Sequence, residues 1–249
     1  MKTCAVIPAA GRGSRLNTTI PKLLLPITRT KTLWNVLKQT LTMVEHIHVI
    51  VSPEGERIIR EHLANDLANQ TVSLSIQPKP IGMGDAIFQG YKVWSQAEKI
   101  LVVWGDQAFI SEDTCHRSLQ EHTGTPKSIV LPLTWGLAPY VEYVFDSHSQ
   151  LTQVKQSREG DACSPQGFSD VGTFVLSVND LWEEWNAYLL SNALGRHTKE
   201  INFLPFLPFL AARGWHVCPV LVKNAIEARG INTPDDLLFT QQHYEGIKT

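Results

Sequence analysis

Five short stretches combine residue types and spacings that could do chemistry on phosphates. The first is Pro8-Ala9-Ala10-Gly11-Arg12-Gly13-Ser14-Arg15, directly after a short apolar run. Glycines let backbone amides approach an anion closely, and Arg12 and Arg15 bring charge to neutralise it, which suits a phosphate. A tight turn explains an isolated Gly-x-Gly equally well. Two other phosphate loops are excluded by inspection. A dinucleotide loop would carry a third glycine where Leu16 stands and an acid about 20 residues on. A P-loop would need Gly-Lys-Ser/Thr, which Arg15-Leu16-Asn17 does not supply.

Seven residues after Arg15 stands Lys22, stiffened by Pro21 and followed by Leu-Leu-Leu-Pro, so its ammonium could be aimed across a phosphate site; by itself it reads equally as a solvated loop lysine. Gln77-Pro78-Lys79-Pro80-Ile81-Gly82 follows a third apolar run. The Gln77 amide offers a donor and an acceptor together, the pattern on the edge of a pyrimidine, although a proline-bounded turn also fits. Gly105-Asp106 closes an all-apolar run, where a carboxylate could ligate Mg²⁺ or merely cap a turn. Gly230-Ile231-Asn232-Thr233-Pro234 reads, alone, as a helix start.

These stretches need elements to hold them. Cys4–Pro8, Ile47–Val51, Val72–Ile76 and Ile100–Trp104 are short apolar or β-branched runs, the signature of strands buried on both faces. Between them, Leu33, Leu37, Leu41 and Val44 recur at helical spacing. Ser52-Pro53-Glu54 opens a second helix, and Met83–Trp94 forms a third. Beyond about residue 125 strands dominate: Ile129–Trp135, Tyr140–Phe145, Leu151–Val154, a single strand Phe168–Ser177, and Val217–Val222. Helices are expected at about Asp180–Leu190 and Lys199–Ala212, and a last one opens at Thr233-Pro234. The expected fold is α/β, a Rossmann-like, mostly parallel mixed sheet with helices on both faces. One domain, 1–249, is expected, with a first lobe of about 1–125 plus 225–249 and a second of about 126–224.

Taken in order, the five stretches resemble the nucleotidyltransferase family that activates sugar 1-phosphates, above all the uridylyltransferase domain acting on N-acetylglucosamine 1-phosphate. Ala9-Ala10-Gly11-Arg12-Gly13-Ser14-Arg15 matches that family's Ala-Ala-Gly-x-Gly-[Ser/Thr]-Arg, and Pro21-Lys22 its Pro-Lys seven residues on. Gln77 and Gly82 match its Gln-x4-Gly, Gly105-Asp106 its Gly-Asp, and Gly230-Ile231-Asn232 its Gly-Val-Asn. The resemblance implies a nucleotide-diphospho-sugar transferase fold and attack of an acceptor phosphate on the α-phosphorus of a nucleoside triphosphate. It implies that Ala10, Gly11, Gly13, Ser14 and Arg15 hold the triphosphate and that Lys22 bridges the two phosphates. Asp106 and Asn232 would hold Mg²⁺, with Asp106 also touching the nucleotide, while Gln77 and Gly82 read the base. Acceptor contacts are expected from Tyr140, Gln156, Asp170 and Gly172. Gln156 and Asp170-Val171-Gly172 stand where the family commonly has Glu and Asn-x-Gly. UTP or dTTP with a sugar 1-phosphate is the expected pair. A cytidylyltransferase of a small phosphorylated alcohol such as phosphocholine is the alternative, and a non-catalytic nucleotide-binding module a second. The chain ends soon after the last helix, so a stand-alone transferase is expected.

Composition agrees with this and narrows it. The net charge is −2, with 18% charged and 43% hydrophobic residues, which excludes a disordered chain and argues against a nucleic-acid binder. The charge is uneven. Lys2, Arg12, Arg15, Lys22, Arg29, Lys31 and Lys38 precede the first acid, Glu45, so an anionic ligand belongs near the N-terminus. No apolar run approaches the ~20 residues of a membrane span. Cys4, Cys115, Cys163 and Cys218 show no CxxC spacing and read as reduced thiols of a cytoplasmic protein. His46 and His48 share a strand face without a third ligand, so a zinc site is not expected. The dense apolar stretch Phe203–Leu210 reads as core, with a homo-oligomer interface as the alternative.

Overall fold

The computed structural model describes residues 1–11, 13–122, 124–191 and 194–246. The strands are β1 (Thr3–Ala9), β2 (His46–Val51), β3 (Val72–Ile76), β4 (Lys99–Val103), β5 (Ser128–Leu137), β6 (Val141–Phe145), β7 (Leu151–Gln156), β8 (Gln166–Asp170), β9 (Thr173–Ser177) and β10 (His216–Leu221). The helices are α1 (Leu33–Thr40), α2 (Pro53–His62), α3 (Ala64–Ala68), α4 (Met83–Gln89), α5 (Tyr91–Trp94), α6 (Glu112–Glu121), α7 (Leu181–Leu190), α8 (Phe206–Ala212) and α9 (Pro234–Gly246).

All the strands join one sheet in the order β3-β2-β1-β4-β9-β5-β8-β6-β7, with β10 beside β5. The pairs β3-β2, β2-β1 and β1-β4 are parallel, as buried strands joined by helices must be. From β4 to β7 each neighbour runs antiparallel, and β10 lies parallel to β5. The sheet is therefore mixed, parallel where the phosphate-type loops leave it and antiparallel beyond.

Side-chain alternation along β1 divides the core. Cys4 and Val6 face Trp94, Phe88, Trp185 and Phe206 on one side, whereas Ala5 and Ile7 face Leu33, Leu37 and Leu63 on the other. The first side is bound by aromatic packing, including Phe88 stacked on Trp185 at 4.1 Å. Phe203, Phe206, Leu207 and Leu210 are buried within it, so the dense apolar stretch is core.

Four boundaries differ from the sequence expectation. Residues 168–177 are two strands, because Gly172 takes φ +74° and Asp170 Oδ1 accepts its N–H at 2.8 Å, closing a turn. Residues 83–94 are two helices that meet at Gly90, where a Cβ would lie 2.6 Å from the His48 ring. The second-lobe helix starts at Phe206, not near Lys199, because the Ile201 backbone is drawn into bonds with Ile81 and Gly84. Helix α6 was not anticipated. Ser111 caps it by accepting the Thr114 N–H at 3.1 Å.

Candidate active site

Parallel strands put their carboxyl ends on one edge, and the chain after β1, β3 and β4 leaves from that edge. This is where open α/β sheets bind ligands. After β1 come Ala10, Gly11 and Gly13, then the short turn Ser14–Leu16. Gly13 takes φ +58°, and its carbonyl accepts the Leu16 N–H at 2.9 Å. A Cβ on Gly11 would meet nothing within 4 Å, so no packing demands glycine there and the backbone is open to a ligand. Arg12 lies outside the described residues.

After β4, Gly105 lets this segment press on the end of β1, since a Cβ would fall 3.0 Å from the Pro8 carbonyl oxygen. Asp106 is then fixed by its carbonyl, which accepts the Ile231 N–H at 2.9 Å, and the next residue, Gln107, bridges Gly230. These bonds bring Asn232 alongside Asp106, although the two lie far apart in sequence. Lys22 Nζ donates to Asp106 Oδ2 at 3.2 Å and to Asn232 Oδ1 at 3.0 Å, and Arg15 donates to the same Asn232 oxygen at 3.5 Å. Asn232 is held in turn by Asp236 at the start of α9, whose Oδ2 accepts the Asn232 and Thr233 N–H groups and the Thr233 hydroxyl, while Arg229 pairs with Oδ1. Burial alone would raise the Asp236 carboxyl. The hydrogen bonds from Thr233, Asn232 and Arg229 outweigh it and hold the carboxyl below its ordinary range.

A cleft of about 540 Å³ opens on this cluster. It is lined by Ala10, Gly11, Gly13, Arg15 and Lys22, by Asp106 and Asn232, and by Gln77 and Gly82. Asp106 and Asn232 both offer oxygen donors, the kind Mg²⁺ prefers. They converge on one point, because a lysine ammonium sits between them. Among the described residues no group of three His, Cys, Asp or Glu side chains could enclose a metal. Two oxygens suit a cation that completes its shell with phosphate and water.

The expected acceptor residues are not in this lining. Tyr140 is 59% exposed and Gln156 only 2%. Gln156 Oε1 accepts from Arg158 Nε at 3.3 Å. Asp170 is engaged by the Tyr143 hydroxyl at 3.2 Å and by Gly172, whose carbonyl accepts the Trp104 N–H at 2.8 Å. Burial drives the Asp170 carboxyl up against those two hydrogen bonds, and the Asp106 charge adds to the rise. The far wall instead presents Trp104, Arg158 and Glu200. Arg158 pairs with Glu200 at 3.5 Å and donates to Asn202.

Sequence reasoning misses Glu200 because the segment that carries it reads as helix, and Arg158 because nothing in its spacing marks it. The Glu200 segment is a loop tied down by Glu159, which accepts from His197, Thr198 and Asn202. Burial would raise Glu159, but those bonds outweigh it and bring its carboxyl to about 2. The signal available was Pro205, which caps the helix and stands only five residues beyond Glu200. The loop also meets the segment that follows Gln77: Ile201 N–H donates to the Ile81 carbonyl at 2.7 Å and Gly84 N–H to the Ile201 carbonyl at 3.0 Å.

Comparison with known proteins bears on this site. The family model for the MobA-like NTP transferase domain matches residues 5–198. The Acidithiobacillus ferrooxidans protein named bifunctional protein GlmU is 25% identical over 248 residues, 98% of this chain and 52% of that protein. The bifunctional protein GlmU of Stutzerimonas stutzeri is 27% identical over 243 residues, 96% of this chain and 51% of that one. The chain thus spans about half the length of the curated relatives it matches. Among solved structures, a Bacillus anthracis protein described as a glucose-1-phosphate thymidylyltransferase superposes with a TM-score of 0.73 at 16% identity, covering 97% of this chain and 94% of its own. The 4-diphosphocytidyl-2C-methyl-D-erythritol synthase of Anaerococcus prevotii gives 0.67 at 15% identity, covering 98% and 96%. These likenesses match the nucleotide-diphospho-sugar transferase fold.

Proposed function

For a chain that belongs to the MobA-like NTP transferase domain family, and is thus a nucleotidyltransferase, we propose a Mg²⁺-dependent transfer from a pyrimidine nucleoside triphosphate, UTP or dTTP, to a sugar 1-phosphate. One observation carries this reading: Arg15, Lys22, Asp106 and Asn232 meet in a single cleft that Gln77 and Gly82 also line. In this reading a nucleotide lies with its phosphates on the first group and its base on the second.

The reaction joins two anions, so positioning and charge neutralisation are the protein's tasks. An oxygen of the acceptor phosphate attacks the α-phosphorus, the bond to the β-phosphate oxygen breaks, and pyrophosphate leaves. The backbone of Ala10, Gly11, Gly13 and Ser14 cradles the triphosphate, with Arg15 over its outer oxygens. Lys22 stabilises charge shared between the α-phosphate and the acceptor phosphate. Asp106 and Asn232 hold the Mg²⁺, which when bound neutralises phosphate oxygens and fixes the in-line geometry. No general base is needed, because a phosphate oxygen is already nucleophilic. In this reading the first lobe, about 1–125 with 225–249, binds the nucleotide, and 126–224 supplies the acceptor side through Arg158 and Glu200, whereas Tyr140, Gln156, Asp170 and Gly172 lie outside the cleft lining.

A second reading has a specific observation behind it. Trp104 and Glu200, an indole and a carboxylate on the acceptor wall, suit an ammonium group as well as a sugar. A phosphorylated amino alcohol such as phosphocholine is then the alternative acceptor. Pyrophosphate release from a grid of nucleoside triphosphates against sugar 1-phosphates and phosphocholine, with and without Mg²⁺, tests both. Release with UTP or dTTP and a sugar 1-phosphate, only in Mg²⁺, is the expected outcome; release confined to phosphocholine replaces the first reading with the second. No release from any pair, with no nucleotide bound, removes both.

A further inference from the structure

Gln77 follows β3, is 4% exposed and lines the cleft. Its Nε2 lies 2.9 Å from the Gly82 carbonyl oxygen and 2.8 Å from Asp85 Oδ2. Both partners only accept, one as a carbonyl and the other as a carboxylate, so the NH₂ end of the amide must face them. That end has two N–H groups, and both are engaged. Gln89, one turn along α4, donates to the Asp85 oxygens at 3.3 and 3.4 Å and helps hold the carboxylate in place. The Gly82 carbonyl is anchored as well, by the Ala86 N–H at 3.2 Å. What Gln77 can turn to the cleft is Oε1, which accepts and cannot donate.

We propose that Asp85 is a specificity-determining positioning residue, which locks the Gln77 amide so that the base must bring an N–H on the ring nitrogen facing Oε1, selecting uracil over cytosine. This rests on the nucleotide reading above. Uracil carries a proton on N3. In the same pose cytosine turns the N3 lone pair toward the lone pairs of Oε1, and its own N–H groups stand on N4, at the position where uracil carries an oxygen. Reading cytosine there would require the amide to flip, which aims Oε1 at the Gly82 carbonyl and at the Asp85 carboxylate. An unmatched buried acceptor pair and two lost hydrogen bonds oppose that flip. Asp85 is not part of the cleft lining and acts through Gln77.

The test is calorimetric titration of the full chain with UTP and with CTP in Mg²⁺. These nucleotides share their ribose and phosphates, so their ratio isolates the base edge. The wild type should bind UTP more tightly by roughly 10- to 100-fold, the range of one good hydrogen-bonded base contact. Asp85→Asn keeps the shape but can present its own NH₂ to a flipped amide, and should narrow the ratio by about tenfold, the worth of one charge-assisted bond. Asp85→Ala should narrow it similarly. A role in stability alone would leave the ratio unmoved. A wild type that prefers CTP, or variants whose ratio stays within about twofold of the wild type, overturns the proposal while nucleotide binding stands. Failure of both nucleotides to bind the wild type overturns the function reading itself.

Discussion

Gly82 sits where two demands meet, and a single methyl group should expose them. Its φ is +130° with ψ 163°, a region that side-chain-bearing residues scarcely enter, at a cost of about 1–3 kcal/mol. An alanine Cβ would also fall 2.6 Å from the Ile201 nitrogen and 2.9 Å from its carbonyl carbon, with the carbonyl oxygen nearer still. Those atoms are backbone and cannot rotate away, so overpacking adds about 1–3 kcal/mol. Gly82→Ala should therefore destabilise the chain by roughly 2–6 kcal/mol. At about 2–4 °C per kcal/mol for a domain of this size, Tm falls by roughly 5–20 °C. Gly214→Ala is the control, because its φ is +84° but a Cβ there would meet nothing within 4 Å. It should cost only the backbone strain, about 1–2 kcal/mol, or roughly 2–8 °C. Scanning calorimetry without nucleotide compares the two directly. If Gly82→Ala melts within about 2 °C of Gly214→Ala, the tight seam between the two loops is refuted.

Three further outcomes are expected. Lys22→Ala should lower kcat for pyrophosphate release by about 10²–10³, the usual cost of one preorganised charge at a transition state, with circular dichroism unchanged; near-normal release by the folded variant removes its role. Asp106→Asn keeps an oxygen but not the charge, so half-saturation in Mg²⁺ should move up by about tenfold or more; an unchanged Mg²⁺ titration counts against Asp106 as a ligand. The Glu159 carboxyl lies at about 2 in the fold against an ordinary 4.5, so the unfolded chain binds its proton first as pH falls. The stability it confers is full above about 4.5 and lost on the way down to about 2. Urea midpoints measured across that window should fall more steeply for the wild type than for Glu159→Gln, and parallel curves would refute the linkage.

How far the fold could be read in advance follows from burial. The strands β1, β2 and β4 bury side chains on both faces and so stand out as largely apolar runs, whereas β3 at the sheet edge alternates Ser with Val, Leu and Ile; helix α1 carries apolar residues at helical spacing. Helix α6 escaped because the side chains it buries are Thr114, Cys115 and Ser118, which leave no apolar stripe. Its cap, Ser111 followed by Glu112 and Asp113, was the legible sign. Val171 and Thr173 are buried like strand residues, and that hid the break at Gly172, whose N–H turns back to Asp170.

The two halves of the site differ in the same way. Ala10 to Arg15, Gln77 and Asp106 follow strand ends directly, so local sequence order already places them on one edge of a parallel sheet. Asn232 needs one tertiary step, the bonds from Gly230 and Ile231 to the Asp106–Gln107 segment. The acceptor wall needs several. Glu200 reaches the cleft only because buried Glu159 gathers His197, Thr198 and Asn202, and because Ile201 pairs with Ile81 and Gly84. Those partners are distant in sequence, and no residue spacing announces them. The same pairing ties the Glu200 loop to the Gln77 segment: Gly82, which abuts Ile201, also supplies the carbonyl that orients Gln77. Because that pairing runs through the Ile201 backbone, a backbone shift in the loop 199–202 would act, on the function proposed above, on nucleotide and acceptor together. Divergence on the proposed acceptor side is then expected to settle on Trp104, which lines the cleft just after β4, and to spare Ile201 and Arg158, the latter being paired with Glu200 in the same loop.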